Sequence, residues 1–311
     1  MLCKYLPSLR TLLFIATVVA ILCLVNFSNH ASSIQPQESL PSVHFHHLHL
    51  NSTDPATAIK FYTSKFDCEA AEFMGQAAVK TQNSWLFFNK VKAAPPWEPT
   101  SAIWHFGWGA EDMKATYQKQ LDSGTKFFTP LTDISDIAGG NVLGRFFYAY
   151  VEAPDKALVE LNTSSNHQFG HLHMFSADPI AAGEWYYKYF GIRRRGSSTP
   201  SREPRFYRNV QIGPSTSMML DNVNIIIYPV QYTQKTYAAH WKNDQSKLVS
   251  TKGRVVDHIA FSVVNLEEVI ERLAKEGVRI TEPMKTSLAG KFKHAFIEGP
   301  DEVIIELLEI L

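Results

Sequence analysis

Residues 45–66 read FHHLHLNSTDPATAIKFYTSKF, and residues 169–190 read FGHLHMFSADPIAAGEWYYKYF. The two stretches align without a gap, and ten of the 22 positions are identical. The matches include histidine, proline and tyrosine, which are too uncommon to coincide by chance at this rate. The repetition indicates an internal duplication.

Each copy is predicted to fold as a strand, a turn and a helix. From Phe45 to Leu50 the side chains alternate between two faces, as in a strand. Asp54 can accept hydrogen bonds from the free N–H groups at a helix start, and Pro55 suits the first helical position. Apolar residues then recur at helical spacing.

A second type of unit also occurs twice. Residues 103–108 and 256–263 have strand patterns, and Asp112 and Asn265 can cap the helices that follow. Each unit ends in an apolar strand after a Pro-Asp turn, ALVEL in one case and VIIEL in the other. The body therefore divides into four strand-helix-strands modules, roughly 43–92, 101–163, 167–231 and 254–311. We expect consecutive modules to pair, giving a first domain of residues 43–165 and a second of residues 166–311.

The first 33 residues are predicted to be a targeting segment. A positively charged start precedes an apolar run from Leu12 to Val25, and residues 34–42 follow as a linker. This order, with a small residue at Ala31, is typical of a secretory signal peptide. Taken over residues 11–27, the run approaches the length of a membrane anchor, so both alternatives stay open. Either one predicts an extracytoplasmic body, which is secreted, periplasmic or anchored to a membrane.

Charge and composition narrow the function classes. Lysine plus arginine equals aspartate plus glutamate, 30 against 30, so the sequence gives no electrostatic case for nucleic acid binding. Hydrophobic residues make up 45%, which fits a globular body. Of the three cysteines only Cys68 lies outside the targeting segment, which excludes a cysteine-rich zinc site.

The four-module arrangement resembles the vicinal oxygen chelate superfamily, which includes glyoxalase I, extradiol dioxygenases, fosfomycin resistance proteins and bleomycin-binding proteins. The resemblance covers nearly the whole body. It implies an α+β fold in which tandem βαβββ modules form two U-shaped mixed sheets, each with a metal on its concave face. Four modules in one chain look most like the dioxygenase organisation.

The resemblance also implies two sets of metal ligands. In the family, ligands come from the first strand of each module and from a last strand. The matching positions are His47, His105 and Glu160 for one site and His171, His258 and Glu306 for the other. Both glutamates lie among apolar strand residues, where a carboxylate needs water, a partner or a metal. Two imidazoles and a carboxylate suit Fe(II), Mn(II) or Zn(II) and leave positions open for a small-molecule substrate.

The histidines beside these ligands are assigned lesser roles. His46 is expected at the surface because it points away from His47 in a strand. His49 and His173 are expected either to support the ligands or to lie at the surface.

The chain departs from both enzyme patterns of the family. Glyoxalase I has a fourth ligand, a glutamate, where this chain has Trp85 and Asn224. The dioxygenase signature has a tyrosine ten residues before the ligand glutamate, and Tyr150 matches it. The second half has phenylalanine there, with His294 nearby. Tyr150 and His294 are therefore the candidate acid/base residues, although neither half has the full ring-cleavage set.

Two further segments have open interpretations. Residues 193–208 contain six arginines, which form either a clamp for a carboxylate or phosphate or a solvated loop. Residues 231–250 are an insertion that acts either as a lid or as a surface excursion.

The function expected from these features is a divalent-metal enzyme acting on a small organic oxygen compound. A dioxygenase-like reaction is favoured because the ligand set has three members. A metal-dependent lyase or isomerase is the close alternative, since Fe(II) is hard to keep reduced outside the cytoplasm. A non-catalytic small-molecule binding protein is the third, and the presence of all six ligands speaks against it.

Overall fold

The computed structural model describes residues 42–138, 145–196, 199–241, 246–287 and 290–311. The targeting segment and most of the linker lie outside these ranges, so the choice between signal peptide and anchor remains a prediction. Within the described ranges, no helix combines the length and apolar character needed to cross a membrane.

The four modules follow one another in the order that the sequence predicts. The first contains β1 (Val43–Ser52), α1 (Pro55–Lys65), β2 (Glu69–Phe73), β3 (Gln76–Thr81) and β4 (Ser84–Lys90). The second contains β5 (Ile103–Ala110), α2 (Met113–Asp122), β6 (Phe127–Asp133), α3 (Ser135–Ala138), β7 (Phe147–Glu152) and β8 (Leu158–Thr163). The third contains β9 (Phe169–Ser176), α4 (Pro179–Phe190), β10 (Arg205–Tyr207), β11 (Val210–Gly213), β12 (Thr216–Leu220), β13 (Val223–Pro229) and α5 (Val230–Thr236). The fourth contains β14 (Val256–Val263), α6 (Leu266–Lys275), β15 (Ile280–Ser287), β16 (Phe292–Glu298) and β17 (Ile304–Ile310).

The predicted helix caps form as expected. Asp54 accepts a hydrogen bond from the backbone N–H of Thr57, and Asp178 accepts from Ile180 and Ala181. Asp112 and Asn265 cap the helices of the second and fourth modules in the same way. These contacts satisfy N–H groups that have no partner within the helix, so each helix starts where its capping residue places it.

The sheets group the first module with the fourth and the second with the third, whereas the prediction grouped the first with the second (residues 43–165) and the third with the fourth (residues 166–311). One sheet has the order β15-β16-β17-β14-β1-β4-β3-β2 and joins the fourth module to the first. The other has the order β12-β13-β9-β5-β8-β7-β6 and joins the third module to the second. The two central contacts, β1 with β14 and β5 with β9, are antiparallel.

Connection length explains this pairing. Only residues 164–168 separate β8 from β9, so the second and third modules are held side by side. The connections between β4 and β5 and between α5 and β14 are longer and allow the chain to cross between the sheets. The first strands of the modules present similar open edges, so their sequences alone could not select the partner.

Aromatic side chains at the C-terminal ends of α1 and α4 pack into the core between the sheets, with Phe66 directly after α1 and Phe190 as the last residue of α4. The Phe66 ring stacks 4.7 Å from that of Trp108 in β5, and the Phe190 ring lies 5.5 Å from that of Phe261 in β14. Phe45 and Phe169, the first residues of the two repeated stretches, lie 5.8 Å apart. The repeated apolar residues therefore join the two sheets and leave the opposite faces for polar groups.

The repeated tyrosines Tyr62 and Tyr186 should tolerate replacement by phenylalanine. Both are 1% exposed, and their hydroxyl groups have no hydrogen-bond partner among the described residues. Because a buried unpaired hydroxyl is costly, each substitution should leave the free energy of unfolding unchanged or raise it by about 1 kcal/mol. Thermal unfolding measures this change.

Tyr237 provides the matched control for this prediction. Its hydroxyl lies 3.1 Å from the indole N–H of Trp104, which donates a hydrogen bond to it. Tyr237→Phe should therefore lower the free energy of unfolding by about 1 kcal/mol. If Tyr62→Phe were the more destabilising change, the description of its hydroxyl as unpaired would be wrong.

Candidate metal centres

The predicted ligands assemble into two clusters, one on each sheet. The terminal cluster, from the first and fourth modules, consists of His47, His49, His258 and Glu306. The central cluster, from the second and third modules, consists of His105, His171, His173 and Glu160. All eight side chains are at least half-buried, and only His49 exceeds 9% exposure.

The terminal cluster brings four donor atoms together. One donor from each residue lies within 4.8 Å of the others. Glu306 Oε2 is 3.1 Å from His47 Nε2 and 3.3 Å from His258 Nε2. These two nitrogens and His49 Nε2 are buried without hydrogen-bond partners among the described residues. Nitrogens in this position can bind another ligand, such as a metal ion.

Further polar groups fix the orientation of the terminal ligands. Asp257 Oδ1 lies 2.7 Å from His258 Nδ1, and the ring of His46 contacts His47 through their Nδ1 atoms at 2.8 Å. His294 Nδ1 lies 2.8 Å from Glu306 Oε1, on the side away from the donor oxygen. Such hydrogen bonds set which nitrogen or oxygen of a ligand faces a metal.

The central cluster repeats this arrangement. Its three histidines each offer a nitrogen within 4.8 Å of the others. Glu160 Oε2 lies 2.8 Å from His105 Nε2 and 3.8 Å from His173 Nδ1, and Glu160 Oε1 lies 3.8 Å from His171 Nε2. Both ring nitrogens of His105 and the Nε2 of His171 are buried without hydrogen-bond partners in the described part of the chain.

Strand register makes the two clusters equivalent. His49 pairs with His258 across β1 and β14, as His173 pairs with His105 across β9 and β5. Ala260 lies between His47 and Glu306, and Gly107 occupies the same position between His171 and Glu160. The two central strands of each sheet pair in the same register, and this register brings the candidate ligands of each cluster together.

Burial keeps most of the imidazoles neutral. It lowers the pKa of His47 to about 3 and that of His171 to about 4, and it also lowers the pKa of His105 well below its usual range. Burial also opposes protonation of His258, but its contacts with Asp257 and Glu306 raise the pKa of that ring. Neutral imidazole is the form that binds a metal, so the histidines with lowered pKa are ready for coordination at neutral pH.

The structure regroups the predicted ligands. His47 lies with His258 and Glu306 rather than with His105 and Glu160, and His171 lies with the latter pair. The pairing of the strands is the physical reason. The terminal cluster forms where β1 pairs with β14, and the central cluster forms where β5 pairs with β9.

Three histidines have larger roles than the sequence suggested. His46 is 7% exposed rather than at the surface, because a register shift between Phe45 and His47 breaks the alternation of β1. His49 and His173 supply a donor in their clusters. Each stands two residues after a predicted ligand in a strand and so points to the same face, which was the signal available in the sequence.

The cavities next to the clusters differ in size and lining. The terminal cavity, of about 270 Å³, is lined by the cluster, by His46 and His294 and by phenylalanines, including Phe73, Phe87, Phe292 and Phe296. The central cavity, of about 600 Å³, is lined by the cluster residues Glu160, His171 and His173 and by many aromatic and apolar side chains. The two acid/base candidates are separated, because Tyr150 lines the central cavity and His294 the terminal one.

The arginine-rich segment and the insertion also reach the central cavity. Arg205 and Arg208 line it from β10 and the turn after it, while Arg202 pairs with Asp178 elsewhere. Tyr232 and Thr236 line it from α5, which covers the first part of the predicted insertion. Asn224, the residue in place of the fourth glyoxalase I ligand, also faces this cavity.

The donor sets of both clusters fit a divalent metal ion. Three imidazoles and one carboxylate match the nitrogen and oxygen preference of Fe(II), Mn(II) and Zn(II). Buried ring nitrogens with no hydrogen bond are costly unless another ligand engages them. The fourth donors, His49 and His173, come from the same strands as His47 and His171, so the missing glutamate at Trp85 and Asn224 does not reduce the donor number.

Comparison with known proteins agrees with this description. The Glyoxalase/Bleomycin resistance protein/Dioxygenase superfamily matches residues 168–307. No curated protein matches the sequence. Glyoxalase I from Zea mays has a similar fold, with a TM-score of 0.62 at 14% identity over 86% of this chain and 92% of that one. A Bacillus subtilis protein, whose dioxygenase activity is itself a proposal, has a TM-score of 0.54 at 12% identity over 88% and 86%.

At these identities the solved structures show the fold alone, while the family match reaches the third and fourth modules. Residues 168–307 therefore match the Glyoxalase/Bleomycin resistance protein/Dioxygenase superfamily, and the described body has a fold similar to that of glyoxalase I, as the sequence predicted.

Proposed function

We propose that the chain is a divalent-metal enzyme whose central cluster carries out a dioxygenase-like reaction on a small aromatic oxygen compound. One observation carries this proposal: the donors of the central cluster open into a cavity of about 600 Å³ with aromatic walls. A cavity of this size suits a small organic molecule. The terminal cavity has less than half that volume.

The lining favours a flat aromatic substrate. Trp104, Tyr148, Tyr150, Tyr228 and Tyr232 surround the space next to the ligands. Aromatic side chains stack or pack edge-on against an aromatic ring, and tyrosine adds a polar group at the ring edge. A phenol or diol would place its ring among these side chains and its oxygens toward the donors.

A bound divalent ion would supply Lewis-acid stabilisation of two adjacent substrate oxygens and, with Fe(II) or Mn(II), a site for oxygen chemistry. His105, His171, His173 and Glu160 would hold it. Tyr150 lies opposite Glu160 in the β7–β8 register, and its ring is 4.8 Å from that of His105. Burial raises the pKa of Tyr150 well above its usual value, so the hydroxyl stays protonated and can donate a hydrogen bond to a substrate oxygen.

The charges of the central cavity favour an acidic substrate. Among the described residues that line it, Arg205 and Arg208 are cationic and Glu160 is the one carboxylate. Arg208 lies 3.7 Å from Asp136, whereas no carboxylate of the described chain lies within ion-pair distance of Arg205. A divalent ion would add to this positive excess. A phenolic compound with a carboxylate therefore fits better than a neutral one.

A metal-dependent lyase or isomerase of the glyoxalase type is the second candidate. The presence of His173 favours it, because the central cluster then has four protein donors, the number found in glyoxalase I. Four donors leave fewer open positions for substrate and oxygen together than three do. A binding protein without catalysis is the third candidate, for which the cavity would suffice and the metal would not be needed.

Metal reconstitution tests the proposal. The full chain would be stripped with a chelator, reloaded anaerobically with Fe(II), Mn(II) or Zn(II), and supplied with phenolic acids, diols and an enolisable α-oxo compound. We expect oxygen uptake with phenolic substrates after loading with Fe(II) or Mn(II) and none with Zn(II), which has no redox chemistry. Metal-free protein is the control.

The other outcomes separate the alternatives. Isomerisation of the α-oxo compound with all three metals, without oxygen uptake, would replace the dioxygenase proposal by the lyase or isomerase. Failure to retain any metal after anaerobic loading, with ligand binding unchanged, would favour the binding protein.

A further inference from the structure

We propose that the terminal cluster is a structural zinc site. Its metal would link β1, the first described strand, to the fourth module and so stabilise the fold. This goes beyond the proposed function, because it assigns the two clusters different tasks. The central cluster would turn over substrate, and the terminal cluster would hold its metal tightly and stabilise the fold.

The terminal ligands are oriented in advance. Asp257, which holds His258 Nδ1, is itself fixed by Asn51 Nδ2 at 3.1 Å and by the backbone N–H of Gly253 at 2.6 Å. His294, which holds Glu306 Oε1, has its other ring nitrogen 3.2 Å from Ser287 Oγ. The donors that face the centre therefore lose little freedom when a metal binds, and this strengthens binding.

The central cluster lacks the most important of these supports. Trp104 precedes His105 where Asp257 precedes His258, and it has no group that accepts a hydrogen bond from an imidazole. His105 Nδ1 accordingly has no hydrogen-bond partner among the described residues. His258 is thus held by a carboxylate, whereas the equivalent ligand His105 is not. We therefore expect the terminal cluster to bind a metal more tightly than the central cluster does.

The terminal cavity is poorly suited to an organic substrate. Its volume of about 270 Å³ lies below the range of about 300–1,000 Å³ that is typical of ligand pockets, and no arginine or lysine lines it in the described chain. Its polar groups are the ligands, the two supporting histidines, Gln76 and Asn89. Four nitrogen and oxygen donors within 4.8 Å of one another supply the number of protein ligands that structural zinc takes.

The position of the terminal cluster would allow a bound metal to stabilise a contact between the two ends of the described chain. His47 and His49 lie in β1, the first described strand, while His258 and Glu306 lie in the last module. The unfolded chain must close a very long loop to bring these residues together, at an entropic cost. A metal that binds the native cluster and not the unfolded chain shifts the equilibrium toward the closed form.

Zinc-dependent unfolding tests this role. The full chain would be made metal-free, placed in a zinc buffer, and followed by thermal unfolding and by zinc content. With free zinc about 1,000-fold above Kd, Tm should rise by about 10 °C. Glu306→Gln should lose one zinc equivalent and most of the rise. The matched variant Glu160→Gln should lose the other equivalent and keep most of the rise.

A second variant keeps the test decisive if Glu306→Gln does not fold. Asp257→Asn retains all four donors but weakens the support of His258, so the rise in Tm should require roughly 10- to 100-fold more zinc. The proposal is overturned if zinc leaves the Tm of the wild type unchanged, or if Glu160→Gln loses as much of the rise as Glu306→Gln. An unchanged zinc requirement in Asp257→Asn would contradict the role of the support.

Discussion

Gly107→Ala is expected to remove the metal from the central cluster. A Cβ atom at this position would lie 2.4 Å from His171 Cε1, 2.5 Å from His171 Nε2 and 2.3 Å from the carbonyl oxygen of Glu160. Real Cβ atoms do not make such contacts, and β5 is hydrogen-bonded on both sides, so its backbone cannot retreat. The imidazole of His171 must turn away from the other donors.

The expected loss of metal affinity follows from the displacement of the His171 imidazole. Loss of one ligand position should weaken metal binding at least as much as loss of a supporting residue, by roughly 100-fold or more. The overpacked strand should also cost about 1–3 kcal/mol of folding free energy. Metal content after dialysis and thermal unfolding measure the two effects separately.

Ala260→Gly is the matched control for Gly107→Ala. Ala260 occupies the same register position between His47 and Glu306 in the terminal cluster, and there the methyl group is accommodated. Removing it should cost about 1 kcal/mol and leave metal content unchanged. If Gly107→Ala kept its full metal equivalent, the close approach of His171 to β5 would be disproved.

Tyr150→Phe is expected to lower kcat by roughly 100-fold or more while metal content stays at the wild-type level. The substitution removes the one tyrosine hydroxyl that lies opposite Glu160 in the sheet register, and a positioned proton donor contributes about 100- to 10,000-fold to a rate. The ring itself remains and continues to pack against Trp104 and His105. The measurement is the steady-state rate on the substrate that the reconstitution assay identifies.

In the terminal cluster, a phenylalanine already occupies the position that is equivalent to Tyr150. Phe296 lies opposite Glu306, just as Tyr150 lies opposite Glu160. Tyr117→Phe serves as the control, because Tyr117 packs against Phe127 and is not among the residues that line the central cavity. A kcat for Tyr150→Phe equal to that of the control would exclude Tyr150 as the proton donor.

The sequence determined the modules and the candidate ligands. Repeated strand-turn-helix stretches, capping residues such as Asp54 and Asp178, and the glutamates of the two last strands are local signals, and the structure follows each of them. These signals can be read from the sequence because they are local. A capping residue contacts only the first turn of its own helix, and the alternation of a strand determines which residues share a face.

The tertiary structure decided which ligands meet. The first strands of the modules have similar edges, so nothing in them favoured pairing the first module with the second over pairing it with the fourth, and the structure has the second arrangement. The short connection at residues 164–168 settled the pairing, and with it the partners of His47 and His171. A register shift in β1 turned His46 inward, and strand contacts left no room for a side chain at Gly107. Those outcomes depend on hydrogen bonds and packing between segments far apart in the chain, which a single sequence does not display.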